Sequence, residues 1–323
     1  MVAIKKLNGK NSKDFDLEKR NWDQLRSINN VHLIKPLAIC EQAQCLIFPW
    51  ADGGSLWKFW KTNGREEIER TADVSRWCLE QLTGLAHAMA ELYPENFRHG
   101  DLKPDNVLHF TTPGSKLGTL KIADLGVSKM HPKEALTGLR HNPTKTEAST
   151  FTYQAPEAHG TYATRGPRSR RYDSWSMGCI ILEFVVWLLY DFSALLSFEG
   201  ARGDVPGHAY YQVRPGSYSD DDIEEGVEVH PKVIEAISCL KADGRCRGTA
   251  LEPLVRLVES RLLKIAPRER LEPGQLHEEL EKILRDAEEA SFLFHGACPP
   301  SPVPEIFSQA PPRSAPQLTN GHL

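Results

Sequence analysis

The segment His99–Asn106, with the sequence HGDLKPDN, holds a carboxylate, an ammonium group and an amide close together. Pro104 interrupts any helix, so these groups share a loop. Such a loop suits phosphoryl transfer, because Asp101 can orient a hydroxyl group and accept its proton while Lys103 neutralises the moving phosphoryl group. The amide oxygen of Asn106 can bind Mg²⁺. Taken alone, the segment could also be a charged surface turn.

A second carboxylate follows a predicted strand at residues 120–123. The triplet Asp124-Leu125-Gly126 comes directly after it. A carboxylate just past a strand, with a glycine that permits a tight turn, can hold a metal ion over phosphates. An isolated Asp-x-Gly triplet also occurs in plain turns, which is the alternative for this one.

Further short motifs are weak one by one. Lys5 lies on the predicted strand Val2–Lys5, and Glu18 lies on the helix that follows. A lysine on an edge strand and a glutamate on a helix are ordinarily solvated. Ala155-Pro156-Glu157 and the segment 172–178, which contains Asp173, come later in the chain.

The elements that must position these residues fall into two groups. After the first strand, Phe15, Trp22, Leu25 and Ile28 have helical spacing, which predicts a helix over 14–28. Two apolar runs, 33–39 and 44–50, predict a hairpin, and Asp52-Gly53-Gly54-Ser55 ends this small β-rich part.

Helices dominate the rest of the chain. Apolar stripes predict helices over 74–89, 177–189, 251–262 and 276–284, of which 177–189 is apolar on most faces and is therefore expected at the centre of the core. Residues 200–230, rich in Gly, Pro, Tyr and Asp, suggest an irregular insertion.

The expected organisation is a β-rich lobe over 1–50, a helical lobe over 51–290 and a disordered tail over 291–323. The tail prediction rests on the Pro, Ser and Ala content from Cys298 onward. The expected fold class is therefore α+β, with two lobes. A length of 323 residues agrees with about two lobes.

Composition excludes several classes of protein. A net charge of −4 gives no case for a nucleic-acid surface. Seven scattered cysteines without a Cys-x-x-Cys pair form neither a disulfide framework nor a zinc ribbon. The N-terminal apolar run is too short for a signal peptide, and the run 177–189 is shorter than the ~20 residues of a membrane span. We expect an intracellular protein, cytoplasmic or nuclear, without a membrane span.

The motifs are more specific as an ordered set than each is alone. A strand lysine, a helix glutamate, His-x-Asp-Leu-Lys-Pro-x-Asn, Asp-x-Gly, Ala-Pro-Glu and Asp-x-Trp follow one another along the chain. The sequence therefore resembles the eukaryotic protein kinases over residues 1–290. The stretches 48–54 and 172–189 look most like fungal serine/threonine kinase-like proteins.

The resemblance implies an ATP site in the smaller lobe. Lys5 would contact the α- and β-phosphates and pair with Glu18. Phe48 would lie at the back of the adenine pocket, the carbonyl of Pro49 would accept from the adenine amino group, and the backbone of Ala51 would offer both N–H and C=O.

The resemblance also assigns roles in the larger lobe. Asp101 would be the catalytic carboxylate and Lys103 the lysine that neutralises phosphate charge, as serine/threonine kinases have it. Asn106 and Asp124 would hold Mg²⁺. Thr150 would contact the catalytic carboxylate.

Two structural contacts are also implied. Glu157 would pair with Arg270 in the core, and Asp173 would anchor the catalytic loop.

Two residues and one missing segment depart from the family pattern. Gly100 stands where the family has an arginine that recognises a phosphate on the activation segment. Activity should therefore not depend on such a phosphate. Phosphorylation can still occur at Thr144, Thr146, Ser149 and Thr150. Leu125 replaces a phenylalanine and keeps its apolar packing. Only four residues precede Lys5, so the Gly-rich loop that covers the triphosphate is missing. The sequence suggests either an N-terminally truncated kinase or a catalytically crippled form.

The first functional hypothesis is an ATP- and Mg²⁺-dependent kinase acting on serine or threonine hydroxyls of a protein substrate. The alternative is a pseudokinase or scaffold that keeps the fold to bind protein partners. A small-molecule kinase is a third possibility, against which the Ala-Pro-Glu motif and the long activation segment argue.

Overall fold

The N-terminal part of the chain is built on a small antiparallel sheet. Strands β1 (Val2–Lys6), β2 (Ala38–Cys40) and β3 (Cys45–Pro49) lie in the order β1-β3-β2, so β3 is central. Leu46 on β3 is completely buried. The computed structural model describes residues 1–6, 13–92, 97–125, 151–158, 171–203, 208–214, 226–294 and 302–308.

Helix α1 (Lys13–Gln24) covers one face of this sheet. Its apolar residues Phe15 and Trp22 are buried, and Trp22 meets the ring of Phe48 edge-on at 5.7 Å between centroids. The predicted helix reached residue 28, whereas the α-helix ends at Gln24 and continues as one 3₁₀ turn, Leu25–Ser27. The helix thereby fixes the side of β3 that faces the interior.

The predicted hairpin exists, but its first strand is shorter than expected. Residues 32–34 pair instead with the end of a distant strand: Ile34 N–H donates to the Ile122 carbonyl at 2.9 Å, and Ile122 N–H donates to the His32 carbonyl at 2.7 Å. Leu33 and Ile34 are each only 3% exposed. The run 33–39 therefore serves two sheets, and a local pattern cannot show where it divides.

A second antiparallel sheet lies at the start of the larger lobe. It consists of β4 (Gly54–Ser55), β5 (Val107–Thr112) and β6 (Ser115–Ile122) in the order β4-β5-β6. The strand predicted over 120–123 is the end of β6. The link between Ile34 and Ile122 joins the two sheets at this point.

Helices form the body of the larger lobe. The predicted helix 74–89 is part of a longer helix, Ala72–Leu92, and the predicted helix 251–262 divides into an α-helix, Leu251–Leu257, and a π-helical turn at Val258–Leu262. The helices of the described residues beyond α1 are α2 (Leu56–Thr62), α3 (Ala72–Leu92), α4 (Tyr172–Tyr190), α5 (Phe192–Ala201), α6 (Pro231–Ala242), α7 (Leu251–Leu257), α8 (Pro273–Asp286) and α9 (Ala290–Leu293).

Helix α4 is the centre of the core, and all its residues are buried. Within the described ranges it is the one helix whose length and apolar content would suffice to cross a membrane, and here protein surrounds it on every side. This agrees with the sequence prediction of a central buried helix.

Two segments predicted to be irregular contain ordered structure. Part of the insertion forms a hairpin of β7 (Tyr211–Val213) and β8 (Val227–Val229). Residues 302–308 of the predicted disordered tail include a 3₁₀ turn, Glu305–Phe307, whose Ile306 and Phe307 are each 2% exposed. The disorder prediction is therefore wrong for residues 302–308, because two apolar side chains of this Pro-rich stretch are buried against the helical lobe.

Candidate functional site

A cleft of about 380 Å³ lies between the two lobes. Of the residues singled out by sequence, it brings together Lys5, Phe48, Pro49, Ala51, Asn106 and Asp124. Its wall also includes Ala3, Ile34, Trp50, Gly54, Ser55, Asp105, Leu108 and Ala123.

Lys5 is the electrostatic centre of the cleft. Its Nζ donates to Glu18 Oε1 at 2.9 Å and to Asp124 Oδ1 at 2.7 Å. Burial lowers the pKa of Lys5, but the carboxylates of Asp124 and Glu18 outweigh burial and leave the pKa above its usual value. Lys5 therefore stays charged and joins the small lobe to Asp124, two residues past the end of β6.

Glu18 lies behind this lysine rather than in the cleft wall. Its side chain is 5% exposed, whereas that of Asp124 is 41% exposed. Asp124 has a φ of +60°, a left-handed backbone conformation that is uncommon outside glycine. The chain therefore holds the Asp124 carboxylate at the mouth of the cleft by a costly local conformation.

The far wall of the cleft is apolar and ends at the backbone of Pro49 and Ala51, where the Ala51 carbonyl also accepts from Gly54 N–H at 3.1 Å. Phe48 packs on Trp22, and β3 ends at Pro49. Pro49 has no N–H, but its carbonyl can accept a hydrogen bond, and Ala51 can both donate and accept. This wall can take a flat apolar ring with polar edges.

The loop after α3 places the predicted catalytic groups beside the cleft. Lys103 Nζ lies 3.1 Å from Asp101 Oδ2. Asn106 Nδ2 donates to the Asp101 carbonyl at 2.7 Å and to Asp101 Oδ2 at 3.0 Å. These contacts orient the amide of Asn106, and the side chains of Asp101, Lys103 and Asn106 form one connected polar group. Pro104–Asn106 is a 3₁₀ turn.

Asp173, at the start of α4, holds the same loop in place. Asp173 accepts hydrogen bonds from His99 N–H at 2.8 Å and from Gly100 N–H at 2.9 Å. Burial raises the pKa of Asp173, and the opposing charges and backbone donors reduce that rise. Gly100 has a φ of +78°, which favours glycine at this position. Asp173 thus anchors the loop, as the resemblance implied.

An ion pair between the buried Arg270 and the part-buried Glu157 holds the turn Pro156–Ala158 in place. Arg270 Nη1 and Nη2 donate to the two oxygens of Glu157 at 2.8 and 2.9 Å. Arg270 also donates to the carbonyls of Lys264 and Ile265. The pair joins the 3₁₀ turn Pro156–Ala158 to the loop before α8.

The donor set near the cleft fits a hard divalent cation. Mg²⁺ prefers a few carboxylate or amide oxygens together with phosphate oxygens and water. Asn106 presents its amide beside Asp101, and Asp124 presents a carboxylate to the same cleft. The described residues contain no group of three or more His, Cys, Asp or Glu side chains that could hold a metal ion by themselves.

Sequence reasoning missed part of the cleft wall. Ala3 could have been found, because it lies two residues before Lys5 on the same face of β1. Ile34 gave no signal, since it reaches the cleft only through its pairing with β6. Gly126, Thr144, Thr146, Ser149 and Thr150 lie outside the described residues.

Comparison with known proteins agrees with this geometry. Residues 1–193 match the model of the protein kinase domain. The serine/threonine-protein kinase RAD53 of Saccharomyces cerevisiae is 24% identical over 247 residues, which are 73% of this chain and 27% of that protein. Human mitogen-activated protein kinase kinase kinase 7 is 32% identical over 130 residues, 39% of this chain and 20% of that protein.

A shorter relative is covered more fully. Human serine/threonine-protein kinase 16 is 23% identical over 190 residues, 55% of this chain and 59% of that protein. The matched regions thus span about a quarter of RAD53 and a fifth of the kinase kinase kinase, so most of each of those proteins lies outside the similarity.

Proposed function

The chain belongs to the protein kinase domain family, and from this premise we propose that it transfers the γ-phosphoryl group of ATP to serine or threonine hydroxyls of a protein substrate. The observation that carries the proposal is the double contact of Lys5 with Glu18 and Asp124. It joins both lobes at the cleft, beside which Asp101 and Asn106 lie hydrogen-bonded to each other.

Each side chain has a role that its position supports. Asp101 would orient the substrate hydroxyl and accept its proton, and Lys103, 3.1 Å from it, would neutralise charge on the phosphoryl group. Asn106 and Asp124 would hold Mg²⁺, which when bound neutralises phosphate charge. Lys5 would contact the α- and β-phosphates.

A phosphotransfer assay tests the proposal. The full chain is incubated with Mg²⁺ and labelled ATP, with casein and myelin basic protein as hydroxyl-bearing probes. Asp101→Asn should lower incorporation by roughly 10²–10⁴-fold, the usual worth of a positioned acid–base group. Asp124→Asn should also lower incorporation, because it removes a carboxylate from the proposed Mg²⁺ site. Asp286→Asn, at an exposed position at the end of α8, is the matched control and should leave it unchanged. Equal incorporation by all four proteins would contradict catalysis.

The alternative is a pseudokinase or scaffold, and one observation favours it. Lys5 and Asp124 already neutralise each other across the cleft. Both groups proposed to bind ATP and Mg²⁺ therefore already have a partner.

A thermal-shift titration with Mg-ATP separates the two functions. A ligand at ~100 times its dissociation constant stabilises a protein by about 2.7 kcal/mol. A catalytically competent chain should show this shift, Lys5→Met should remove it, and Lys6→Met, on the exposed face of the same strand, should keep it. No shift and no phosphotransfer would support the scaffold, and a shift without phosphotransfer would support the pseudokinase.

A further inference from the structure

Two cysteines lie directly opposite each other at the turn end of the β2–β3 hairpin. Cys40 on β2 is the register partner of Cys45 on β3. Among the cysteines of the described residues, all of which are free thiols, these two alone are paired across a sheet. The mechanism of phosphoryl transfer has no use for either thiol.

The spacing of such a pair suits a disulfide. Opposed residues of antiparallel strands have Cα atoms about 4.5 or 5.5 Å apart, and their side chains point to the same face of the sheet. Disulfides bridge Cα atoms separated by roughly 4.4–6.8 Å. The hairpin can therefore accept the bond with only side-chain rotation and a small adjustment of the strands.

The register that opposes the two cysteines is strongly fixed. Leu46, next to Cys45, is completely buried, and a slip of one residue would turn it to the solvent face. The central strand β3 also pairs with β1 over five residues, from Val2–Pro49 to Lys6–Cys45. The turn is closed by Gln44 N–H donating to the Glu41 carbonyl at 3.2 Å.

The two thiols differ in access. Cys40 is partly exposed on β2, which is an edge strand, whereas Cys45 on the central strand is 5% exposed. A small oxidant in solution therefore meets Cys40 first, and Cys45 lies beside it as the resolving thiol.

We propose that Cys40 and Cys45 form a reversible, peroxide-driven disulfide that closes the end of the β2–β3 hairpin. The Cys40 sulfur attacks one oxygen of hydrogen peroxide, the O–O bond breaks, and Cys40 sulfenic acid and water result. The Cys45 sulfur then attacks the Cys40 sulfur and displaces the hydroxyl group, which leaves as water with the Cys45 proton. Two thiols and one peroxide give one disulfide and two waters. The modification does not depend on the proposed phosphotransfer.

Peptide mapping tests the proposal on the full folded chain. Trypsin is expected to release residues 27–58 as one peptide, since Lys35 precedes a proline, and its only cysteines are Cys40 and Cys45. After peroxide and an alkylating agent, this peptide should be lighter by two hydrogen atoms and unalkylated. After reduction it should take two alkyl groups. The matched variant Cys239→Ser, at a partly exposed cysteine of α6, should behave like the wild type.

Two further experiments test the disulfide, one with cysteine variants and one with a glutathione redox buffer. In Cys40→Ser and in Cys45→Ala, checked for folding by circular dichroism, the remaining thiol should be alkylated or over-oxidised instead. In a glutathione redox buffer, the folded chain should favour the disulfide by roughly tenfold more than the chain in urea, because the sheet holds the thiols together. Alkylation of both wild-type thiols after peroxide, or an equal glutathione equilibrium in urea, would overturn the proposal.

Discussion

Glu183 is a carboxyl group in the middle of the buried helix α4. It accepts hydrogen bonds from Tyr210 Oη at 2.7 Å and from Tyr153 Oη at 3.0 Å. Burial raises its pKa to about 7, although the Arg202 charge and the two hydroxyl donors favour the ionised form. This residue therefore titrates near neutral pH within the core.

The raised pKa of Glu183 makes stability depend on pH. Below the ordinary pKa of 4.5, the carboxyl is protonated in both the folded and the unfolded chain. As the pH rises to about 7, the unfolded chain releases this proton first, so Glu183 lowers the free energy of unfolding by up to about 1.4 kcal/mol per pH unit.

Glu183→Gln isolates this contribution. The glutamine stays neutral and can still hydrogen-bond to Tyr153 and Tyr210. The difference in free energy of unfolding between the variant and the wild type should grow in favour of the variant from pH 5 to pH 7, as measured by urea denaturation. A difference that stays constant over this range would show that Glu183 does not titrate there.

At the scale of elements, the Glu157–Arg270 pair connects two turns that are far apart in sequence. Arg270 is 2% exposed and donates from both terminal nitrogens to the carboxylate and from Nε to the Lys264 carbonyl. A lysine keeps the charge but cannot make this planar, two-pronged contact. The guanidinium thus holds the turn Pro156–Ala158 in place beside α8.

We predict that Arg270→Lys lowers the free energy of unfolding by about 3 kcal/mol, because Glu157, whose side chain is only 12% exposed, keeps its charge with a poorer partner. Arg285→Lys is the matched control: its surface pair with Glu281 is 3.6 Å long and should change stability by less than about 0.5 kcal/mol. Chemical denaturation of both variants measures the difference. Similar losses of stability in Arg270→Lys and Arg285→Lys would show that the Glu157–Arg270 pair stabilises the fold no more than a surface pair does.

At the scale of the molecule, residues 302–308 tie the end of the described chain to the helical lobe. Phe307 stacks on Tyr190 with ring centroids 4.9 Å apart and meets Phe198 edge-on at 6.0 Å. These rings belong to α4 and α5, so the segment closes the apolar surface where the two helices join. Ile306 is buried beside it.

Removing this aromatic anchor should destabilise the whole lobe. Phe307→Ala should lower the free energy of unfolding by about 3–5 kcal/mol, the usual cost of deleting a buried aromatic ring. Val303→Ala, at a position that is 50% exposed, should cost much less. Thermal unfolding compares the two, and equal melting temperatures would show that the segment is not held by Phe307.

Local signals were sufficient wherever neighbours in sequence act together. Pro104 forces a loop, and that loop brings Asp101 and Asn106 into hydrogen bonding. Helical spacing identified the buried face of α3, and the unbroken apolar run identified α4 as the central helix. The α+β, two-lobed fold predicted from these patterns is confirmed by the architecture and by the match to the protein kinase domain.

Sequence by itself determined the order of the chemical groups and the elements that carry them, because turns, caps and periodicity act over a few residues. Only the tertiary structure decided that Ile34 pairs with Ile122, that Glu183 meets two tyrosines and that Phe307 returns to the core. These contacts join segments far apart in the chain. Each depends on burial and register in the folded molecule, which no local pattern encodes.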